Sequence, residues 1–367
     1  MNEFTSRLLI IGGGTGGHIF PGIAIAHYLM KKHWKILWIG SSDRMEATLV
    51  PQHNIDIKIL KMNLIRKKGF KYYLPGLVQL GATLIKSFNI IKTWKPDVVL
   101  GMGGYISAAG ILAAWLYDIP IVIHEQNRIA GLTNRWLAKI SRYVLQGLPG
   151  DLNNALVVGN PLRNEIRTIA SPEIRFLGRE NSPLRVLVMG GSQGSQIINN
   201  IIPQVAMILG SKITVWHQVG SLFLTKTIQS YQETYENSYR ITEFISDIAE
   251  AYSWADIVIC RSGALTVSEI SAVGLPAIFV PFPHKDQHQY WNAVLLEDIG
   301  AAKIIKQSYF TASRVAAMLE SFDRRQLLRM ALLGRSIGIM NATEKIADII
   351  ERAALDFLTI NTSARAR

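Results

Sequence analysis

The chain has 367 residues, 49% of them hydrophobic and 18% charged. That suffices for two ordinary domains with large cores and excludes a disordered protein. A net charge of +12 predicts an anionic partner, and the single cysteine, Cys260, excludes an intrachain disulfide or a cysteine-rich zinc site and fits a reducing compartment.

Leu8 to Ile11 reads as a first buried strand, too short to be a signal-peptide core. No run of about 18 uncharged apolar residues follows anywhere, so nothing is predicted to span a bilayer. The aromatic residues form no RNA-binding signature, so no nucleic-acid partner is expected. Gly12-Gly13-Gly14-Thr15-Gly16-Gly17-His18 follows the first strand and leads into a helix through Tyr28. Glycines permit close backbone approach to a ligand. The loop lacks the Gly-Lys-Ser/Thr of a P-loop. His18 stands where an N–H cluster would hold an anion; a capping or packing histidine is the alternative.

Ile36 to Ile39 is a strand, and Ser41-Ser42-Asp43 reads as a helix start. Leu64 to Leu74 mixes cations with rings and aliphatic residues, and Pro75 to Ile91 reads as an apolar helix. Basic plus apolar character over 64–91 suits contact with an anionic membrane surface. Pro96 to Leu100 is a strand, and Gly101 to Ser107 a second glycine turn into a helix. The strand Ile119 to Ile123 ends in His124-Glu125-Gln126-Asn127, and polar residues there face the ligand crevice of an open parallel sheet. Short strands at Arg142–Leu145 and Ala155–Val158 and the run Gly159 to Arg163 end the first half.

Thr168 to Pro183 reads as a linker zone. Leu184 to Met189 and the turn Gly190 to Ser195 then repeat the opening layout, which argues for two Rossmann-like domains. Ile213–Val219, Ile241–Thr242 and Ala255–Cys260 are strands. In Arg261 to Asn292 the small-residue turn Ser262-Gly263-Ala264 opens a helix carrying Glu269, and Ala277 to Val280 is again a strand. Strand, small turn and helix point free N–H groups at an anion. A carboxylate one to two turns into such a helix is placed for ribose hydroxyls, so a nucleotide diphosphate is expected. From Thr311 to about Leu358 the chain reads as mostly helical.

The stretches GGGTGGHIFPGIAIA, GGYIS, HEQNRIAGLTNRWLAK, GNPLR, GGSQGSQIIN and RSGALTVSEISAVGLPAIFVPFPHKDQHQYWNA together resemble the MurG family of N-acetylglucosaminyltransferases of peptidoglycan synthesis. The chain departs from the family pattern at Ser107-Ala108-Ala109 and at Arg128. The resemblance implies an α/β GT-B fold, two Rossmann-like domains facing across a cleft. Residues 1–163 would form an acceptor- and membrane-binding domain and 164–340 a UDP-GlcNAc-binding domain. Residues 341–367 would be a C-terminal helix packing back on the first domain, and a tail. The implied reaction is inverting, metal-independent transfer of GlcNAc from UDP-GlcNAc to the 4-hydroxyl of the MurNAc of lipid I, giving lipid II, without a cofactor. It places the protein peripherally on the cytoplasmic face of the bacterial inner membrane, with cell-wall synthesis proteins as further partners.

The resemblance also assigns roles. His18 is the expected general base, with Glu125 as the other catalytic candidate. Thr15, Gly16 and Gly17 would face the transferred sugar or the acceptor diphosphate, with Asn127 near them. Arg163 would pair with phosphate. Ser192, Ala264 and Leu265 would meet the donor diphosphate, Thr266, Val267 and Ser268 would also bind substrate, and Glu269 would hold the ribose and Ile245 the uracil. Gln289 and Asn292 would contact GlcNAc hydroxyls. The alternative within enzymes is another GT-B glycosyltransferase acting on a lipid acceptor. A nicotinamide-dependent oxidoreductase is disfavoured, because the first loop lacks a clean Gly-x-Gly-x-x-Gly-to-acid spacing. A non-catalytic basic protein would scatter its polar residues instead of gathering them at strand ends.

Overall fold

A computed structural model describes residues 5–61, 73–191, 193–232 and 239–365. The chain divides into two compact units, Met1–Pro161 with Asn341–Arg367, and Leu162–Met340. The first holds strands β1 (Arg7–Gly12), β2 (Lys35–Ser41), β3 (Asp56–Leu60), β4 (Val98–Gly103), β5 (Ile121–Glu125), β6 (Tyr143–Gln146) and β7 (Leu156–Val157). Its helices are α1 (Gly16–Met30), α2 (Glu46–Gln52), α3 (Tyr73–Trp94), α4 (Tyr105–Trp115) and α5 (Leu132–Leu137). The second unit holds α6 (Asn164–Arg167), α7 (Pro172–Phe176), β8 (Leu184–Met189), α8 (Gln196–Leu209), β9 (Ile213–Gln218), α9 (Leu224–Gln232), β10 (Tyr239–Thr242) and α10 (Ile248–Trp254). It continues through β11 (Ile257–Cys260), α11 (Ala264–Val273), β12 (Ala277–Phe279), α12 (His288–Asp298), β13 (Ala302–Ile304), α13 (Ala312–Glu320) and α14 (Arg324–Ser336). The last helix, α15 (Ala342–Arg365), returns to the first unit.

The first sheet runs β3-β2-β1-β4-β5-β6-β7 and the second β10-β9-β8-β11-β12-β13. All neighbours are parallel. Each order reverses once, between β1 and β4 and between β8 and β11, and such reversals open crevices at the carboxyl ends of the strands. Parallel strands are covered on both faces, which is why they read as unbroken apolar runs. In β1 the alternation still decides sides: Leu8 and Ile10 enter one core, Leu9 and Ile11 the other.

Ile346, Ala347, Ile350, Ala353 and Ala354 of α15 lie one or two turns apart and join the core of Leu8 and Ile10. The helix runs to Arg365. Its ion pairs Lys32–Glu351 (2.8 Å) and Arg142–Asp356 (2.7 Å) are part-exposed and add little to that burial.

Several elements differ from their reading in the sequence. Helix α2 begins at Glu46, not Ser41, because Ser41 completes β2 and donates its N–H (3.0 Å) and Oγ–H (2.7 Å) to the buried Glu46. Strand β3 lacks the unbroken apolar run of its neighbours, because it pairs on one side only and its interior is part-exposed. The linker zone is packed structure. Arg175 of α7 is buried and donates to the carbonyls of Tyr252, Val273 and Gly274, capping the end of α11. Burial lowers its pKa to about 10. Arg163 falls in the second unit, two residues past the division.

Candidate active site

In the second unit, the ends of β8, β9 and β11 surround a cavity of about 580 Å³, including its mouth. Arg163, Gln218, Ile245, Tyr252, Thr266 and Glu269 are among its walls. Glu269, on α11, is 8% exposed. Its Oε1 accepts from Arg163 Nε (3.1 Å) and Nη2 (2.9 Å), and its Oε2 from Arg163 Nη2 (3.1 Å) and Tyr252 Oη (3.0 Å). Burial pushes the Glu269 carboxyl up from its ordinary value, while Arg163 and the Tyr252 hydroxyl pull it down. Arg163, expected on a phosphate, is thus an ion-pair partner of the carboxylate expected to hold ribose.

Helix α11 starts with its N–H groups open. Its N-cap is Gly263, with no side-chain cap, and the Val267 N–H bonds back to the Gly263 carbonyl at 2.9 Å. The N–H groups of Ala264, Leu265 and Thr266 therefore have no acceptor within the helix, at its positive dipole end. Val267 is turned into the core (1% exposed) and Ser268 is buried, so their side chains are not ligand contacts as the run would suggest. The turn before α11 is braced from α12. Gln289 Oε1 accepts from the N–H groups of Ser262 (3.3 Å) and Phe282 (2.9 Å), and Ser262 Oγ donates to the Gln289 carbonyl (2.8 Å). The Gln289 amide nitrogen makes no hydrogen bond among the described residues. Asn292 is fully buried and donates to the Ser262 carbonyl (3.3 Å). It holds the turn and cannot reach a sugar hydroxyl, contrary to expectation. Ser192 lies outside the described residues.

In the first unit the two glycine turns pack side by side, because β1 and β4 are neighbours. A Cβ at Gly104, where φ is 84°, would lie 2.5 Å from the Gly13 carbonyl oxygen, so only glycine fits there. The Gly14 N–H donates to Glu46 Oε2 at 3.1 Å, which ties the loop to α2. Thr15 is the extended N-cap of α1 without a side-chain bond. His18 N–H bonds to the Thr15 carbonyl at 3.0 Å, which leaves the Gly16 and Gly17 N–H groups open at the helix start. The His18 ring meets Gln126 Oε1 through Nδ1 at 2.7 Å.

Glu125 does not meet the expectation of a second base. It is 1% exposed and accepts four hydrogen bonds: Asn127 N–H and Nδ2 (both 3.0 Å), Gly131 N–H (3.1 Å) and Asn134 Nδ2 (2.9 Å). A carboxylate whose lone pairs are all engaged shapes a loop and takes no proton from a substrate. Asn127 is thereby a partner of Glu125. Sequence reasoning gave no role to Gln126, Glu46, Tyr252, Gln218 or Arg261. Gln126, inside the strand-end run, and Arg261, which opens the stretch to Asn292, carried a signal.

The stretch 64–72 lies outside the described residues. The rest of the expected membrane segment, in α3, exposes Val78 (67%), Ile85 (64%) and the cations Lys86 and Lys92. The packed neighbours α4 and α5 expose Trp115, Leu132 and Trp136, with Lys139 Nζ 4.3 Å from the Trp136 ring. Among the described residues, no helix is long and apolar enough to cross a membrane.

Two Rossmann-like parallel sheets with glycine turns at their reversal points, and an open helix start beside a cavity with a carboxylate, make a GT-B-like α/β protein with a site suited to an anionic nucleotide. The model of the glycosyltransferase family 28 N-terminal domain matches residues 8–146, and that of the family 28 C-terminal domain matches 185–352. The chain is 53% identical over 347 residues to the UDP-N-acetylglucosamine--N-acetylmuramyl-(pentapeptide) pyrophosphoryl-undecaprenol N-acetylglucosamine transferase of Yersinia pseudotuberculosis serotype O:1b (strain IP 31758), covering 95% of this chain and 97% of that one. Identity and coverage are the same for the transferase of that name from Yersinia pestis bv. Antiqua (strain Angola). The crystal structure of Acinetobacter baumannii MurG is similar with a TM-score of 0.85 at 32% identity, over 95% of this chain and 99% of that one. The chain belongs to glycosyltransferase family 28, among the N-acetylglucosamine transferases of the MurG kind.

Proposed function

We propose that the protein transfers N-acetylglucosamine from UDP-GlcNAc to the 4-hydroxyl of the muramyl sugar of lipid I, giving lipid II for peptidoglycan synthesis. The observation that carries this reading is the 53% identity over 95% of the chain, which runs through the sites of both domains.

The donor belongs to the second domain. Ile245 and Phe244 offer uracil a wall of the cavity. The ribose hydroxyls take Glu269, displacing Arg163, whose side chain is 46% exposed and free to swing to the diphosphate. The open N–H groups of Ala264, Leu265 and Thr266, with Ser192, meet the remaining phosphate charge. The Gln289 amide nitrogen donates to a GlcNAc hydroxyl. The acceptor belongs to the first domain, where Thr15, Gly16 and Gly17 take its diphosphate or the transferred sugar, beside Asn127. His18 removes the proton of the 4-hydroxyl as its oxygen bonds to C1 of GlcNAc. The bond from C1 to the UDP oxygen breaks, the electron pair leaves with UDP, and the α linkage becomes β. The apolar and basic faces of α3, α4 and α5 hold the protein to the cytoplasmic face of the inner membrane.

The test is transfer of labelled GlcNAc to a lipid I analogue with EDTA present. Lipid II formed despite EDTA supports both the acceptor and the metal-independent route. Binding of UDP-GlcNAc without transfer would leave only the donor half. His18→Ala should cut kcat far more than UDP-GlcNAc affinity, and an unchanged rate would remove His18 as the base.

A further inference from the structure

We propose that Gln126 is the positioning residue that sets the tautomer of His18, leaving the lone pair on Nε2. The inference rests on reading His18 as the base. It begins with which end of the Gln126 amide is which. One end sits 3.1 Å from the His124 carbonyl oxygen, 3.3 Å from the Met102 carbonyl oxygen and 3.1 Å from His124 Nδ1. Carbonyl oxygens only accept, so this end is the NH₂. The amide oxygen is thereby turned to His18 Nδ1, 2.7 Å away, and must receive a proton from it. A neutral imidazole with N–H at Nδ1 has its lone pair at Nε2. Nε2 of His18 makes no hydrogen bond among the described residues.

His124 holds the amide in that sense. Its Nε2 lies 3.0 Å from the Gly159 carbonyl oxygen and must donate, so neutral His124 presents an acceptor at Nδ1 to the Gln126 NH₂. Burial pushes the His124 pKa down to about 4, which keeps it neutral at working pH. Asn160 Nδ2 fixes the Gln126 backbone through its carbonyl oxygen at 3.1 Å. Glu125, the carboxylate that acts on His124, is itself held by its four donors. The chain from the Gly159 carbonyl through His124 and Gln126 thus ends at one ring nitrogen of His18, all within the first domain. The hydrogen bond made by one imidazole nitrogen sets which nitrogen carries the proton, and a base in the wrong tautomer forfeits part of the roughly 10²- to 10⁴-fold that a positioned general base contributes.

The test is ¹⁵N NMR of the full chain labelled at histidine, with the His18 signals assigned by their loss in His18→Ala. The wild type should show His18 with its proton on Nδ1 and Nε2 bare. Gln126→Leu, and Gln126→Met as a second variant, should move protonation toward Nε2. In both, kcat should fall about 10- to 100-fold, part of what a positioned general base contributes, with the KM for UDP-GlcNAc unchanged. Wild-type His18 protonated on Nε2 would overturn the proposal without any variant. So would an unchanged tautomer in folded Gln126→Leu and Gln126→Met. A tautomer that shifts as expected while His18→Ala retains full kcat would uphold the relay and sink the base reading instead.

Discussion

Replacing Glu269 by alanine separates donor recognition from structure. The carboxylate accepts from Arg163 through three contacts of 2.9–3.1 Å and from Tyr252 at 3.0 Å. Ribose hydroxyls therefore exchange with an existing partner and do not fill a vacant acceptor, so the net gain is smaller than two new charged hydrogen bonds. One such bond contributes about 1.5–3 kcal/mol, or roughly 10- to 150-fold in affinity. Glu269→Ala should weaken UDP binding by that factor in calorimetry. The wild type should prefer UDP over 2′-deoxy-UDP and the variant should lose that preference, which is the sharper readout. The buried Tyr252 hydroxyl loses its acceptor, so the melting temperature should fall as well. A folded Glu269→Ala variant that still discriminates against 2′-deoxy-UDP would refute the ribose assignment.

Glu125→Gln leaves two of four donors facing an NH₂ group, so the first domain should lose about 2 kcal/mol or more while UDP affinity holds. Collapse of transfer with unchanged melting would instead restore Glu125 as a base. Acid should destabilise both domains through buried histidines. Burial holds His124 at about 4 and His217 at about 3, below the unfolded value near 6.5. Protons then favour the unfolded chain: the stability is present above pH 6.5 and is lost as pH falls toward 4 and 3. By pH 5 these groups should cost about 2 kcal/mol in each domain, and flat denaturant midpoints from pH 7 to 5 would contradict this. Replacing the exposed Trp115 and Trp136 by serine should weaken binding to anionic vesicles about tenfold without changing UDP affinity. Equal vesicle binding would place the membrane contact elsewhere.

Local pattern reached far in this chain. The runs Leu8–Ile11, Leu184–Met189 and Ile257–Cys260 are legible as strands because parallel strands covered on both sides need unbroken apolar residues. The glycine turns are legible because only glycine tolerates the φ of 107° at Gly14 or the close carbonyl at Gly104. The open start of α11 is legible because Ser262-Gly263-Ala264 carries no capping side chain into the helix. Short edge elements fared worse: β3 alternates at a sheet edge, and the start of α2 depends on a bond from Ser41 to Glu46.

The sequence by itself determined the two-domain α/β architecture and the glycine turns, since these follow from periodicity and from residue types with unusual backbone freedom, and its motifs carried the resemblance to the family. Only the tertiary structure decided what each polar side chain does. Glu125 and Asn292 look like site groups in sequence, yet burial and their partners make them scaffolding. Arg163 reads as a phosphate cation, yet it lies across 106 positions against Glu269. A hydrogen bond is a matter of about 3 Å in space, and residue spacing along the chain does not encode it.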